Sequence, residues 1–396
     1  MEEKNLSKDL FILVGGLWGG GAEKIAVDVA NNLPPSISRI LVTIYDSGDK
    51  YSVSVPHISL SGKKTSSIAR MIKLPLNYIR YIALLKKYRP STSLSILPED
   101  NVLNIITSKM MGVKPIISFH GMPSDKNCHV FTRFFLRLSM LLSKTFDVNI
   151  IAVSGGVKKE LTELYGIPED NVYVIYNPID VLNISQLAEE SIDDVLIPLD
   201  VKTIITVGRL NAVKGQWHLI RAFGELQKKY PCKLIICGEG PEKDYLESLV
   251  KDLNLEHEVI FLGWKNNPYK YMSKSSLFVQ SSLSEALPNV LIEAMICGCP
   301  IVAAGCSEGI AEILGQDAAC GIITQKMSGI RHLPGEPLDE GEMTLLKGME
   351  WVLSNPVERD TMAIRCMERA KIFDIEVRIH QYDELLTTVS KFKSEQ

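Results

Sequence analysis

The sequence predicts an α/β protein of two doubly wound domains with parallel sheets, and three observations carry that prediction. Leu10-Phe11-Ile12-Leu13-Val14 is a short apolar run ending in Gly15-Gly16, and residues 22–33 then take up helical spacing. The same succession of strand, glycine turn and helix restarts at residues 202–208 (KTIITVG). On both sides of that restart, short apolar runs alternate with longer helical patterns, as in parallel strands joined by crossover helices.

A continuous apolar run, unlike an alternating one, fits a strand covered on both faces, so residues 10–14 read as a buried parallel strand. Ile25, Val29 and Leu33 fall on one face of the helix that follows. Further strands are expected at 40–44, 92–96, 115–118 and 150–153, and the first domain ends near Asn177-Pro178, giving a boundary at 180. The polar, acidic stretch 185–194 reads as a linker or a mobile first helix. In the second domain, 181–375, strands are expected from 202 and at 233–237, 259–262, 277–279, 301–304 and 321–323. Residues 324–340 are longer than a bare turn after a strand, and no role is assigned to them. Ligands of doubly wound sheets sit at the carboxyl ends of strands, so the cleft between two such domains is the natural site.

At 396 residues the chain has room for two cores of ordinary size. A formal net charge of -4 supplies no global basic field, which argues against a nucleic-acid partner. No stretch approaches the roughly 20 apolar residues of a membrane span, and the opening Met-Glu-Glu-Lys lacks a signal-peptide core, so a cytoplasmic protein is expected. Seven of the eight cysteines lie in the second half, and Cys297-Gly-Cys299 lacks the second pair a zinc site needs. Free thiols and no metal are expected. Charge is uneven locally. Lys63, Lys64, Arg70, Lys73, Arg80, Lys86, Lys87 and Arg89 share a window without Asp or Glu, and the apolar segment 131–146 carries Arg133, Arg137 and Lys144. Two readings stay open: contact with an anionic membrane surface, or a buried helix with solvated basic residues.

Glu285 and Glu293 are separated by seven residues, between an apolar strand and an apolar helix pattern that ends at Cys297-Gly298-Cys299-Pro300. Pro288 fits a first helical turn, which leaves Glu285 in the strand-to-helix loop and puts Glu293 about one turn into the helix. One carboxylate can face a sugar and the other a ribose. The backbone of Leu287, Pro288, Asn289 and Val290 then turns towards a phosphate above the helix N-terminus. Gly208, Arg209 and Lys214 follow the restart strand, where two cations can stabilise a leaving diphosphate in the role a metal plays elsewhere; the bland alternative is two solvated loop charges. Gly20 and Gly21 allow backbone to approach a ligand or make a simple turn, and the incomplete dinucleotide fingerprint argues against NAD. His120, just past a strand, can donate a hydrogen bond to a sugar hydroxyl or a developing charge, or be a satisfied core histidine. Gly238 and Glu239 end another strand, at the base and ribose end of such a pocket.

Taken in order, Gly19-Gly20-Gly21-Ala22-Glu23, Ser118-Phe119-His120, Val153-Ser154, Tyr176-Asn177-Pro178, Val207-Gly208-Arg209-Leu210, Lys214-Gly215, Cys237-Gly238-Glu239-Gly240-Pro241, the two glutamates and Gly309-Ile310-Ala311-Glu312-Ile313 span nearly the whole chain. Together they resemble the retaining glycosyltransferases of family 4. That resemblance implies the GT-B fold: two Rossmann-like doubly wound domains facing a central cleft. Residues 1–180 would bind the acceptor, 181–375 the nucleotide sugar, and 376–396 would form a helix crossing back to the first domain. It implies catalytic roles for His120, Arg209, Lys214 and Glu285. Gly20, Gly21, Gly208, Gly238, Glu239, Leu287, Pro288, Asn289, Val290 and Glu293 would bind the donor. The reaction it implies is metal-independent and cofactor-free. A hexosyl or N-acetylhexosaminyl group leaves a nucleoside diphosphate, uridine in preference to guanosine, for a glycan or lipid-linked saccharide in surface polysaccharide assembly. The acceptor attacks from the face the diphosphate leaves, and the departing phosphate takes its proton. Ala286 departs from the glycine the family often has there, which bears on donor-sugar identity. Two rivals are weighed: a nucleotide-sugar epimerase of similar fold and a noncatalytic sugar-nucleotide-binding subunit.

Overall fold

All five residues of the first strand are buried, and their side chains divide between two cores. Leu10, Ile12 and Val14 join one hydrophobic cluster and Phe11 and Leu13 another, on opposite faces of the sheet. The computed structural model describes residues 9–46, 51–63, 67–125, 130–193, 201–315 and 319–391. The chain divides into two compact units, Met1–Pro178 with Ile375–Gln396, and Ile179–Asp374.

The first unit holds strands β1 (Leu10–Val14), β2 (Arg39–Asp46), β3 (His57–Lys63), β4 (Thr92–Ser95), β5 (Lys114–Phe119), β6 (Asn149–Ala152) and β7 (Val172–Val174). Its helices are α1 (Gly21–Asn32), α2 (Ser67–Tyr88), α3 (Pro98–Met111), α4 (Val130–Thr145) and α5 (Gly155–Lys159). The strands form one parallel sheet in the order β3-β2-β1-β4-β5-β6-β7. The C-terminal helix Ile375–Lys391 belongs to this unit and adds Ile379, Tyr382 and Leu385 to the cluster that holds Ile25 and Val29 of α1 and Leu33 at its C-cap. Each such fully buried aliphatic side chain contributes about 1.5–3 kcal/mol.

The second unit begins with α6 (Val181–Ala188) and alternates β8 (Lys202–Val207), α7 (Gln216–Gln227), β9 (Cys232–Cys237), α8 (Lys243–Asp252), β10 (Val259–Gly263), α9 (Tyr269–Met272), β11 (Leu277–Gln280), α10 (Asn289–Ile296), β12 (Ile301–Ala304), α11 (Glu308–Leu314), β13 (Ile322–Thr324), α12 (Glu340–Ser354) and α13 (Pro356–Ala370). The C-terminal helix of the first unit is therefore α14. The second sheet is parallel in the order β10-β9-β8-β11-β12-β13.

Two strands escape the sequence rules, and both are edges. β3 (HISLSGK) mixes polar and apolar residues, and β7 has only three residues, so neither gives the apolar run of a strand covered on both sides. Residues 185–188 of the stretch 185–194 follow the helix alternative: α6 is capped by Asp180, whose side chain accepts from the Asn183 amide, and it buries Ile184 and Ala188. Residues 194–200 lie outside the described residues. Ala286 keeps a negative φ and is buried, with Gly309 so close to its carbonyl that no Cβ fits between them.

The segment 324–340 has a structural role. Glu342, 0% exposed, accepts from His218 Nδ1 at 2.8 Å and from Arg221 Nε at 3.0 Å. Arg221 also donates to the carbonyls of Leu333, Glu336 and Pro337, while Trp217 Nε1 donates to the carbonyl of Ile330. The long loop is thus fastened to α7 by buried charge, which no local pattern announces.

Candidate active site

Ligands of open parallel sheets bind where strand order reverses, at the carboxyl ends of the two strands flanking the reversal. In the second unit that point lies between β8 and β11, since β8 pairs with β9 on one side and β11 on the other. The loops that follow these strands, 208–215 and 281–288, therefore run side by side. The Leu283 amide donates to the Val213 carbonyl at 2.8 Å, and Ser281 Oγ donates to the Lys214 carbonyl at 3.2 Å. Gly215 has φ 60°, and a Cβ there would stand 2.5 Å from the Ser281 carbonyl, so close contact of the two loops requires glycine.

Their side chains meet as well. Lys214 Nζ donates to Glu285 Oε1 at 2.6 Å, with the two side chains 27% and 14% exposed, and Ser282 Oγ donates to the same oxygen at 2.8 Å. Both bonds fall on Oε1, which leaves Oε2 uncommitted among the described residues. The Asn211 side chain accepts from the Lys214 amide and caps the short turn that carries this lysine. The exposed guanidinium of Arg209 has no side-chain partner among the described residues, and the Arg209 carbonyl is held by Gln216 Nε2. Gly208 and Gly238 join the β8 and β9 ends so tightly that a Cβ on Gly238 would collide with the Gly208 carbonyl. Glu239 beside them is exposed. Leu287 and Pro288 are buried at the start of α10, Asn289 and Val290 are half-buried in its first turn, and Glu293 lies one turn further on.

His120, Gly20 and Gly21 belong to the first unit. His120 Nε2 pairs with Ser118 Oγ at 2.9 Å, and Nδ1 is buried without a partner among the described residues. Burial pushes the imidazole down to about 4, against a smaller upward pull from the nearby Asn177 side chain, so the ring is neutral at neutral pH. It can hydrogen-bond a hydroxyl but brings no positive charge. The Gly20 amide is already in use: Glu23 Oε2 accepts from Gly19 at 2.8 Å and Gly20 at 3.0 Å. Gly21 opens α1.

Sequence reasoning missed Ser282, Asn211 and Glu23 as organisers of these loops. The cap at Asn211 carries a local signal, an Asn opening a turn three residues before its partner amide. Ser282 carries none, because its bond exists only once the loop has closed. One group of side chains, His218, Asp339 and Glu342, has ligand-type atoms within 4.8 Å of one another. It does not suit a cation: His218 spans Glu342 and the Gly329 amide, and Arg221 is already on the same carboxylate oxygen. The seven described cysteines are free thiols.

Two family models match the chain, Glycosyltransferase Family 4 over residues 19–181 and Glycosyl transferases group 1 over residues 188–328. A Campylobacter jejuni protein is 32% identical over 92% of this chain and 95% of its own length. It is named N-acetylgalactosamine-N,N'-diacetylbacillosaminyl-diphospho-undecaprenol 4-alpha-N-acetylgalactosaminyltransferase. An N-acetyl-alpha-D-glucosaminyl L-malate synthase of Bacillus anthracis is 29% identical over 50% of this chain and 51% of its own. Among solved structures, HepE of Anabaena with UDP and glucose superposes with a TM-score of 0.77 at 22% identity, covering 96% of this chain and 99% of that one. Sucrose-phosphate synthase of Thermosynechococcus elongatus gives 0.77 at 17% identity, covering 96% and 99%. The two parallel sheets and these neighbours make the fold GT-B.

Proposed function

We propose that this chain, which belongs to glycosyltransferase family 4 (glycosyl transferases group 1), moves a hexosyl or N-acetylhexosaminyl group from a UDP-sugar to a glycan or lipid-linked saccharide with retention of configuration. The observation that carries the reading is the Lys214–Glu285 pair at the switch point of the second unit, with Arg209 on the same loop and α10 starting just beyond. Cations fixed at that point stabilise charge growing on a departing diphosphate and need no metal to do so. In this reading Glu285 uses Oε2, which neither Lys214 nor Ser282 occupies, to accept from the donor sugar's hydroxyls, and Glu293 accepts from the ribose. The departing phosphate takes the acceptor's proton, so no separate base is required. The name of the Campylobacter jejuni relative supports N-acetylgalactosamine as a donor sugar and a diphospho-undecaprenol saccharide as the acceptor class; the HepE complexes support UDP.

Calorimetry with UDP tests the donor site. Glu293→Ala weakens UDP binding by about 1.5–3 kcal/mol, roughly 10- to 100-fold, because ribose hydroxyls lose a charged acceptor. Unchanged affinity removes Glu293 from the site. Incubation with UDP-sugar alone separates the epimerase alternative, which would convert the sugar while it stays on the nucleotide.

The acceptor class motivates a membrane-facing surface. Val130, Phe134, Arg137, Leu141 and Lys144 recur at helical spacing along α4 and are exposed, and neither α2 nor α4 contains Asp or Glu. Exposed Lys86 and Lys87 end α2; Lys64 and the side chains of Lys63, Arg70 and Lys73 lie outside the described residues. Among the described residues no helix is long and apolar enough to cross a membrane. The protein is expected to sediment with phosphatidylglycerol vesicles at low salt and not with phosphatidylcholine vesicles. Changing Lys86, Lys87, Arg137 and Lys144 to Gln releases it, at about 1 kcal/mol for each basic residue. Indifference of the wild type to anionic vesicles leaves α4 an ordinary covering helix.

A further inference from the structure

The first sheet has a switch point of its own. β1 pairs with β2 on one side and β4 on the other, so strand order reverses between β1 and β4. The loop after β1 runs Gly15-Gly16-Leu17-Trp18-Gly19-Gly20-Gly21, and the turn after β4 leads into α3 with Asp100 in its first turn. Asp100 lies against the glycine loop. A Cβ on Gly15 would stand 3.6 Å from Asp100 Oδ1 and 3.8 Å from Oδ2. The carboxyl is 1% exposed; the Gly15 and Leu97 amides hydrogen-bond to it, and its Oδ2 is left with no partner among the described residues. A buried polar atom left unpaired costs about 1–3 kcal/mol, so a group of this kind at a ligand-binding position calls for a partner that arrives with the ligand.

Charge decides what that partner is. The second unit's switch point carries Arg209 and Lys214, which suit a diphosphate. The first unit's carries acids: Glu23 already occupies the Gly19 and Gly20 amides that an anion would use, and Asp100 stands beside it. Burial, with the charges of Glu99 and Glu23 adding to it, holds the Asp100 carboxyl well above the usual carboxylate range. A neutral acid offers an anionic ligand no counter-charge, whereas a hydroxyl-rich ligand finds a carboxyl to hydrogen-bond.

We infer that Asp100 is an acceptor-binding residue, hydrogen-bonding a hydroxyl of the saccharide that receives the transferred sugar. The inference rests on the transferase reading. To reach the carboxyl the ligand must shift the start of the β1 loop, whose Gly15 carbonyl accepts from the Tyr45 amide and whose far end is held by Glu23; five glycines in seven residues give the backbone between them its freedom. The amide of asparagine can replace the hydrogen bond; a methyl cannot.

The test uses p-nitrophenyl glycosides of glucose, galactose and their N-acetylamino forms, titrated by ligand-observed NMR, with UDP affinity followed in parallel. Asp100→Ala is expected to weaken the bound glycoside about tenfold or more and leave UDP affinity unchanged. Asp100→Asn stays within about threefold of wild type. Should Asp100→Ala fail to fold, isotope-edited infrared difference spectra of the wild type decide: a glycoside-induced shift of a carboxyl band, absent in Asp100→Asn, supports the contact. No shift overturns it. Equal glycoside affinity in folded Asp100→Ala overturns it too, as does a wild type that binds UDP but none of the glycosides. Failure of the wild type to bind UDP overturns the transferase reading instead.

Discussion

Arg209→Ala and Lys214→Ala each lower kcat by about two orders of magnitude or more, the scale of losing one preorganised electrostatic contact to a developing charge. The two losses are unequal. Arg209 has no side-chain partner among the described residues, so its removal takes away one cation and nothing else. Lys214 is bonded to Glu285 at 2.6 Å, and its removal also leaves a half-buried carboxylate without its counter-ion next to the diphosphate. Lys214→Ala is therefore the more damaging in both kcat and UDP affinity, and the double change Lys214→Ala with Glu285→Gln recovers part of the UDP affinity. Turnover of the wild type persists in EDTA. Steady-state kinetics with and without chelator checks both points, and activity that collapses with EDTA and returns with magnesium sinks the cation-based mechanism.

The largest stability effect lies away from the chemistry. Glu342→Ala leaves Arg221, 3% exposed, without its carboxylate and leaves His218 Nδ1 without an acceptor. Removing one partner of a buried ion pair costs about 3–5 kcal/mol, because the remaining charge stays out of water. In a unit of this size each kcal/mol lowers Tm by about 2–4 °C, which puts the fall near 10 °C. Glu342→Gln keeps the shape and falls less. The same change loosens residues 327–338, since Arg221 holds three of their carbonyls and Gly329 is tied to His218 Nε2. Scanning calorimetry on the transition of the second unit measures the first effect and amide exchange at Gly329 and Ile330 the second. A fall in Tm of less than about 2 °C would show that the cluster does not hold this loop.

Local chemistry was legible wherever it is repeated or buried on both sides. The apolar runs at 10–14, 202–207 and 301–304 are strands, and Pro288 divides the loop holding Glu285 from the helix holding Glu293. The edge strands β3 and β7 were not legible, because an edge needs cover on fewer sides and so keeps no strict apolar pattern. At the candidate site, residue types and their loops could be read from the chain, but their pairing could not. Lys214 and Glu285 are 71 residues apart, and His218 and Glu342 are 124 apart.

By itself, then, the sequence determined the α/β class, the restart of the pattern at residue 202, and the placement of candidate residues at strand ends. These follow from periodicity, turn chemistry and burial, which act over a few residues at a time. Only the tertiary structure decided which strand ends are neighbours. β8 stands beside β11, so Lys214 meets Glu285; β1 stands beside β4, so Asp100 meets Gly15. Strand order is set by how whole helices pack across a sheet, and no window of the chain contains it.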